Sequence, residues 1–238
     1  SAIGLFNSDN QSYTLYAGLQ TPHIIRDQIA NNILQINPNN LRVIAPDMGG
    51  GFGLKASAQR ELAIVLWAAK RVNRPVCWIS GRSESFIADN HARDNVSEVS
   101  LAVDKAGKFL ALRVKTLANL GAYIDTFGLH IPVGNLGGLA GPYIIGSFDI
   151  EVRGMFSNTQ PTAPYRGAGR PEATYCIERI IDSAAHELGI CPVEIRRKNM
   201  IPPALMPFDT GLTFKYDCGE FENTMDMALS LSDYNGIP

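Results

Sequence analysis

The chain has 238 residues, 45% hydrophobic and 18% charged, with a formal net charge of −2. Such a composition excludes a disordered segment and leaves room for one large core or two small ones. It also argues against a basic nucleic-acid binder, since 21 Lys and Arg face 23 Asp and Glu and no basic block occurs.

In chain order, Tyr13 to Ala17 reads as a short strand running into Gly18-Leu19-Gln20-Thr21-Pro22. Pro22 then opens a helix with Ile25, Ile29, Ile33 and Ile36 on one face, stopped by Asn37-Pro38-Asn39-Asn40. Leu41 to Ala45 is a buried strand, and Gly49-Gly50-Gly51-Phe52-Gly53 follows. The next helix carries Leu62, Val65, Leu66 and Ala69 and ends near Asn73-Arg74-Pro75, before a strand from Val76 to Ser80. Arg82 to Asn95 reads as polar surface. Alternation at Ser97, Val99, Leu101 and Val103, then at Leu110, Leu112, Val114 and Thr116, predicts a β-hairpin turned by Asp104-Lys105-Ala106-Gly107-Lys108.

Between Gly121 and Gly146 glycine is frequent and charge scarce, a pattern of close packing. A strand over Ile150–Phe156 leads to a second glycine-rich loop, Pro161 to Pro171. The helix after it presents Ala173, Cys176, Ile177, Ile180, Ile181, Ala184 and Leu188 at helical spacing and ends at Gly189. Pro192 opens a shorter helix with Glu194, Arg196, Arg197 and Lys198. Helices and hairpins without regular βαβ alternation give an α+β class.

Cys77, Cys176, Cys191 and Cys218 form no CxxC pair, so an iron–sulfur or zinc site is not expected, and reduced, buried thiols are. No apolar run approaches the ~20 residues of a membrane span, and no secretory signal is visible from Ser1-Ala2-Ile3 onward. With Asn235-Gly236-Ile237-Pro238 closing no element, the chain reads as a piece of a longer, cytoplasmic polypeptide.

The glycine loop is the first candidate for function. Glycines allow positive φ and let backbone N–H groups approach an anion, and a helix starting just after the loop would add its dipole. The phosphate motifs nevertheless fail. Leu54 separates Gly53 from Lys55, against a Walker A loop, and Leu54 and Glu172 stand where a dinucleotide fingerprint needs glycine. A tight strand-to-helix connection explains one such loop; two loops favour a shared ligand. Arg166 reads either as a planar fork for phosphate or carboxylate or as an interdomain ion-pair partner.

Gln20, the run Gly49-Gly50-Gly51-Phe52-Gly53-x-Lys55, the run Ala163-Pro164-Tyr165-Arg166-Gly167-Ala168-Gly169-Arg170-Pro171-Glu172-Ala173, and Pro192-x-Glu194-x-Arg196-Arg197-x-Asn199 together resemble the large subunit of the molybdenum hydroxylases. That family includes xanthine dehydrogenase, aldehyde oxidase and the large chain of carbon-monoxide dehydrogenase, and the last is the nearest in pattern. The resemblance implies that residues 1–238 are a molybdopterin-binding region of a larger subunit, in one piece or as two subdomains divided near residues 90–160. It also implies a molybdenum–molybdopterin cofactor, of the cytosine dinucleotide form, whose metal is held by its dithiolene and needs no protein ligand.

Carried over, Gln20 hydrogen-bonds near the molybdenum oxo group, Gly51, Phe52 and Gly53 bring backbone N–H groups to the cofactor, and Arg166 anchors the second loop. The family's catalytic glutamate lies outside this chain, and Glu220 resembles it only superficially. His23, His91, His130 and His186 match no family role. Implied partners are the rest of the large subunit, an iron–sulfur subunit or domain, and an FAD subunit or domain; the chain by itself is expected to be inactive and to lack the cofactor.

Departures narrow the substrate. Purine-oxidising members carry glutamate at Ala56, arginine near Gly134 and phenylalanine at Ala168, while carbon-monoxide oxidisers carry a copper-holding cysteine at Gly167. An aldehyde or N-heteroaromatic C–H, oxidised with water-derived oxygen, is the expected substrate. The rivals are a non-redox nucleotide- or phosphate-binding module and an inactive assembly scaffold.

Overall fold

A computed structural model describes residues 1–134 and 136–234, so the terminal Asn235-Gly236-Ile237-Pro238 lies outside the described residues. The chain divides into two units. The first combines Ser1–Ala92, Leu120–Leu129 and Phe156–Arg166; the second combines Arg93–Asn119, His130–Met155 and Gly167–Pro238.

In the first unit, β1 (Ala2–Asn7) and β2 (Ser12–Ala17) form a hairpin, with Tyr13, Leu15 and Ala17 of β2 buried on one face. The strand β1 was not evident from sequence. After β2 comes α1 (Pro22–Gln28), which runs straight into a π-helical turn, Ile29–Leu34. This turn breaks the expected stripe: Ile25 and Ile29 are fully buried, whereas Ile33 is 51% exposed. An i→i+5 turn is wider than an α turn and rotates the following residues off the face. The chain returns as β3 (Leu41–Ile44), parallel to β2.

Next, α2 (Arg60–Val72) buries Leu62, Val65, Leu66 and Ala69, the predicted stripe, against the sheet. Gly4 permits the approach, since a Cβ there would lie 2.6 Å from the Val65 carbonyl. The short β4 (Val76–Trp78) completes a sheet ordered β3-β2-β1-β4. The polar stretch beyond contains a helix, α3 (Arg82–Ala88), whose Phe86 and Ile87 are exposed.

In the second unit, β5 (Asn95–Val103) and β6 (Phe109–Gly121) form the predicted hairpin, with Val99 opposite Val114 and Leu101 opposite Leu112. The glycine-rich stretch contains α4 (His130–Gly134), and β7 (Ser147–Phe156) completes the order β5-β6-β7. Against this sheet packs α5 (Arg170–Leu188), burying Ala173, Ile177, Ile181 and Ala185, and it ends at Gly189 with φ of 64°. Then follow α6 (Pro192–Asn199), the two-residue strands β8 (Phe208–Asp209) and β9 (Lys215–Tyr216), and α7 (Phe221–Leu231).

Helices and sheets without regular βαβ alternation, the four-stranded sheet combining parallel and antiparallel pairs, make this an α+β fold. The cysteines depart from expectation: Cys77, Cys191 and Cys218 are exposed and only Cys176 is partly buried. Cys77 lies on an edge strand, and the other two lie at the entrances of α6 and α7, where side chains face outward. Among the described residues no helix is long and apolar enough to cross a membrane.

Candidate functional site

The first glycine loop owes its place to the parallel pairing of β2 with β3. Tyr16 of β2 stands opposite Ile44 of β3, so the segments after both strands leave the same end of the sheet. Carboxyl ends of neighbouring parallel strands are where open sheets bind ligands. Here they deliver Gln20 from one side and Gly49–Gly53 from the other.

The two segments are tied by three hydrogen bonds. The Gly53 N–H donates to Gln20 Oε1 at 2.9 Å, the Gln20 N–H donates to the Lys55 carbonyl at 3.0 Å, and Thr21 Oγ1 donates to the Ala56 carbonyl at 2.7 Å. Because Oε1 accepts the hydrogen bond from Gly53, the Gln20 NH₂ is turned away as a pair of donors. Among the described residues no protein acceptor takes that NH₂ or the N–H of Phe52.

Phe52 has φ of 51° and Gly53 φ of 106°. Left-handed backbone at a non-glycine residue is costly and persists only where neighbours hold it. Gly51 is packed so tightly on Gln20 that a Cβ would lie 2.4 Å from Oε1. At Gly53 a Cβ would lie 2.2 Å from the Pro164 carbonyl. The segment before Arg166 thereby buttresses the loop, and it is itself held by a bridge in which His91 N–H donates to Pro161 O and Ala163 N–H donates to His91 O. Phe52 and Tyr165, both about half exposed, have ring centroids 6.4 Å apart.

Gln20, Gly51, Phe52 and Gly53 therefore lie together, and the Pro164-Tyr165-Arg166 segment adjoins them, with Arg166 exposed. The expected helix dipole does not: a 3-10 turn, Leu54–Ala56, and an extended stretch intervene, and α2 begins only at Arg60. The loop's donors are thus its own amides and the Gln20 side chain. Sequence reading missed three supports. Thr21 looks like a helix cap but holds the Ala56 carbonyl, Pro164 backs Gly53, and Asp125 accepts from Ser57 Oγ at 2.7 Å and from Asn90 Nδ2 at 3.0 Å. A Thr after Gln20 was the one visible signal.

In the second unit, a Cβ on Gly134 would lie 3.3 Å from the Ala168 carbonyl, so these two small residues are neighbours. Gly167 has φ of 97°, and a Cβ there would lie 2.5 Å from Pro171 Cδ. A cysteine at position 167 would collide with the proline that opens α5.

Arg196 pairs with Glu178 and Asp182, each at 2.8 Å, and Arg197 pairs with Glu222 and Asp226. Buried Asn199 accepts from the Phe109 N–H and donates to the carbonyls of Gly107 and Ile195. These motif residues hold helices and the hairpin together. Burial, then the charge of Glu178, pushes the Tyr143 hydroxyl well above its ordinary range. Among the described residues, no three His, Cys, Asp or Glu gather as a metal site.

Comparison with known proteins gives consistent results. The family model for the molybdopterin cofactor-binding domain matches residues 1–200. The chain is 32% identical to the carbon monoxide dehydrogenase large chain of Hydrogenophaga pseudoflava over 98% of its length and 29% of that protein's. It is 29% identical to the 6-hydroxypseudooxynicotine dehydrogenase complex subunit gamma of Paenarthrobacter nicotinovorans, over 87% of this chain and 27% of that one. Among solved structures, quinoline 2-oxidoreductase from Pseudomonas putida 86 superposes with a TM-score of 0.92 at 30% identity, over 98% of this chain and 30% of that one. The chain thus spans under a third of the length of these relatives.

Proposed function

The chain belongs to the molybdopterin cofactor-binding domain family, a domain of molybdenum oxidoreductases, and from this we propose that Gln20, Gly51, Phe52, Gly53 and Arg166 form one wall of the molybdenum site in a hydroxylase large subunit. The observation that carries this reading is the Gly53–Gln20 hydrogen bond, which leaves the Gln20 NH₂ as a fixed, outward donor beside the Phe52 N–H. The fit to the group is chemical: a dithiolene–oxo centre is electron-rich, and this loop offers preorganised N–H donors without competing ligands.

When bound, the cofactor supplies oxygen-atom and hydride chemistry at a substrate C–H, using oxygen from water. The residues of this chain bind and orient. Gln20 would offer its amide hydrogens to the bound group, Phe52 would close the wall with its ring and backbone N–H, and Gly51 and Gly53 keep backbone where any side chain would intrude. Arg166 steadies the second loop. In the intact enzyme the base would come from elsewhere in the large subunit, and iron–sulfur and FAD partners would carry the electrons away. The cofactor is the cytosine dinucleotide form, and the enzyme is cytoplasmic.

For the substrate, an N-heteroaromatic C–H is favoured over a purine or carbon monoxide. Ala56, Gly134 and Ala168 stand where purine oxidisers carry polar or aromatic side chains, and Gly167 offers no thiol for copper. Quinoline 2-oxidoreductase, by its name, handles such a ring.

The test is the full-length large subunit purified with its partners, assayed for molybdenum and cytosine nucleotide and offered N-heteroaromatics in ¹⁸O-labelled water. Near-stoichiometric molybdenum and label in the hydroxylated product are expected. A metal-free protein that binds nucleotides tightly would overturn the reading in favour of a phosphate-binding module.

A further inference from the structure

In the second unit, a cleft of about 410 Å³ opens between the inward face of β5 and the flank of α5, lined by Asn95, Ser97, Glu172, Tyr175, Cys176 and Arg179 among others. Its floor is anomalous. Both carboxylate oxygens of Glu172 are closed off from solvent with no hydrogen-bond partner, and so is Nδ2 of Asn95. An unpaired buried carboxylate costs several kcal/mol, and a buried amide NH₂ without an acceptor costs about 1–3 kcal/mol, so such groups signal a missing partner. Arg93 and Arg179 both line the cleft, yet neither donates a hydrogen bond to Glu172.

The rest of the cleft indicates what that partner is. β5 lies at the border of its sheet and, among the described residues, pairs only with β6, which leaves the backbone groups of its other edge available for a further strand. Val99 and Ile180 give apolar lining suited to an aliphatic stem, and Tyr175, 71% exposed, stands at the cleft. An extended peptide answers every vacancy at once: backbone for the β5 edge, a carbonyl for the Asn95 NH₂, and a cationic side chain for Glu172.

We propose that the β5–α5 cleft seats an extended segment from the remainder of the large subunit, which lays a Lys or Arg side chain against Glu172. This rests on the reading of the chain as part of such a subunit, and the relatives, of whose length it covers 27–29%, have ample chain to supply the segment. A free cationic metabolite would satisfy Glu172 but not the β5 edge, and a second copy of the chain would need a matching basic strand on this same domain.

The test uses the full-length subunit with Tyr175 replaced by a photo-activatable phenylalanine, followed by mass spectrometry of the cross-linked peptides. A single cross-linked segment from outside residues 1–238, containing Lys or Arg, is expected. Glu172→Lys should then speed alkylation of Cys176 about tenfold or more by opening the cleft, and reversing the charge of the cross-linked Lys or Arg to Glu should restore protection. Cross-links confined to residues 1–238, links to a second copy, or none at all would overturn the proposal, as would failure of the charge reversal to restore protection. Molybdenum measured on the same preparations keeps the two readings apart. A cross-linked but metal-free subunit sinks the cofactor reading, whereas a fully loaded subunit without the cross-link sinks this one.

Discussion

The side-chain carbonyl of Gln20 accepts the backbone N–H of Gly53 at 2.9 Å, tying together the loops that leave two neighbouring parallel strands. The bond gives Gln20 a defined polarity, with the acceptor turned inward and both donors outward. A residue with the same shape but no donors separates these roles. In the full-length loaded enzyme, Gln20→Glu keeps the bond to Gly53 and should retain fold and molybdenum while kcat/KM drops roughly 10²–10³-fold, the scale of losing one preorganised donor. Gln20→Ala should lose molybdenum as well. Steady-state kinetics beside metal analysis check this, and wild-type kinetics in Gln20→Glu would rule out the donor role.

The glycines of the loop are unequal. At Gly51 and Gly53 a Cβ would meet Gln20 Oε1 at 2.4 Å and the Pro164 carbonyl at 2.2 Å, while at Gly49 nothing lies within 4 Å. Gly51→Ala and Gly53→Ala should each cost about 1–3 kcal/mol and deplete the cofactor, while Gly49→Ala should stay within about 0.5 kcal/mol of wild type. Urea midpoints and molybdenum content of the full-length variants decide it. Equal effects at all three positions would mean that the loop is merely flexible.

Much of this was legible from the chain. Leu62, Val65, Leu66 and Ala69 gave α2 its face, alternation marked the β5–β6 hairpin, and Gly189 marked the end of α5, because each is a local pattern tied to a fixed period or a single φ. The elements that escaped depend on non-local partners. β1 is recognisable only by its pairing with β2 and β4, and nothing in Ile25-x-x-x-Ile29-x-x-x-Ile33 announces the π turn that expels Ile33. Gln20 and Gly53 were singled out separately; that one holds the other is a property of the parallel β2–β3 register, which no local pattern encodes. The sequence placed Arg196 and Arg197 on a short helix, but their grouping with Asn199 came by resemblance, and its physical content is packing.

Asn199 shows that content most clearly. Its side chain is 2% exposed and makes three hydrogen bonds, accepting from the Phe109 N–H at 2.9 Å and donating to the carbonyls of Gly107 and Ile195 at 2.7 and 2.8 Å. It fastens the β5–β6 turn to α6. Asn199→Ala leaves these buried groups unpaired and should cost about 2–4 kcal/mol. Asn199→Asp should be no better, because the carboxylate has lost both donors and faces two carbonyls. Denaturant unfolding checks both, and a loss below about 0.5 kcal/mol would refute the fastening role.

Tyr143 provides a pH-dependent counterpart in the same unit. It is 2% exposed, and its hydroxyl donates to Glu178 Oε1 at 2.8 Å while Arg196 Nε donates to Oε2 at 2.9 Å. Burial and then the Glu178 charge disfavour the phenolate, and Arg196 only partly offsets them, so the pKa in the folded chain lies above the unfolded value of about 10. Above that pH the unfolded chain releases a proton that the folded one keeps. The contribution is therefore complete below about pH 10 and is lost as pH rises toward the folded value, at up to about 1.4 kcal/mol per unit. Tyr143→Phe deletes the titrating group together with the hydrogen bond to a charged acceptor. The variant should be less stable at neutral pH by about 1.5–3 kcal/mol yet decline less steeply in alkali, so the two stability curves converge as pH rises past about 10. Urea midpoints for both proteins from neutral pH into this alkaline range make the comparison. Curves that stay parallel throughout would show that Tyr143 does not titrate between the folded and unfolded states.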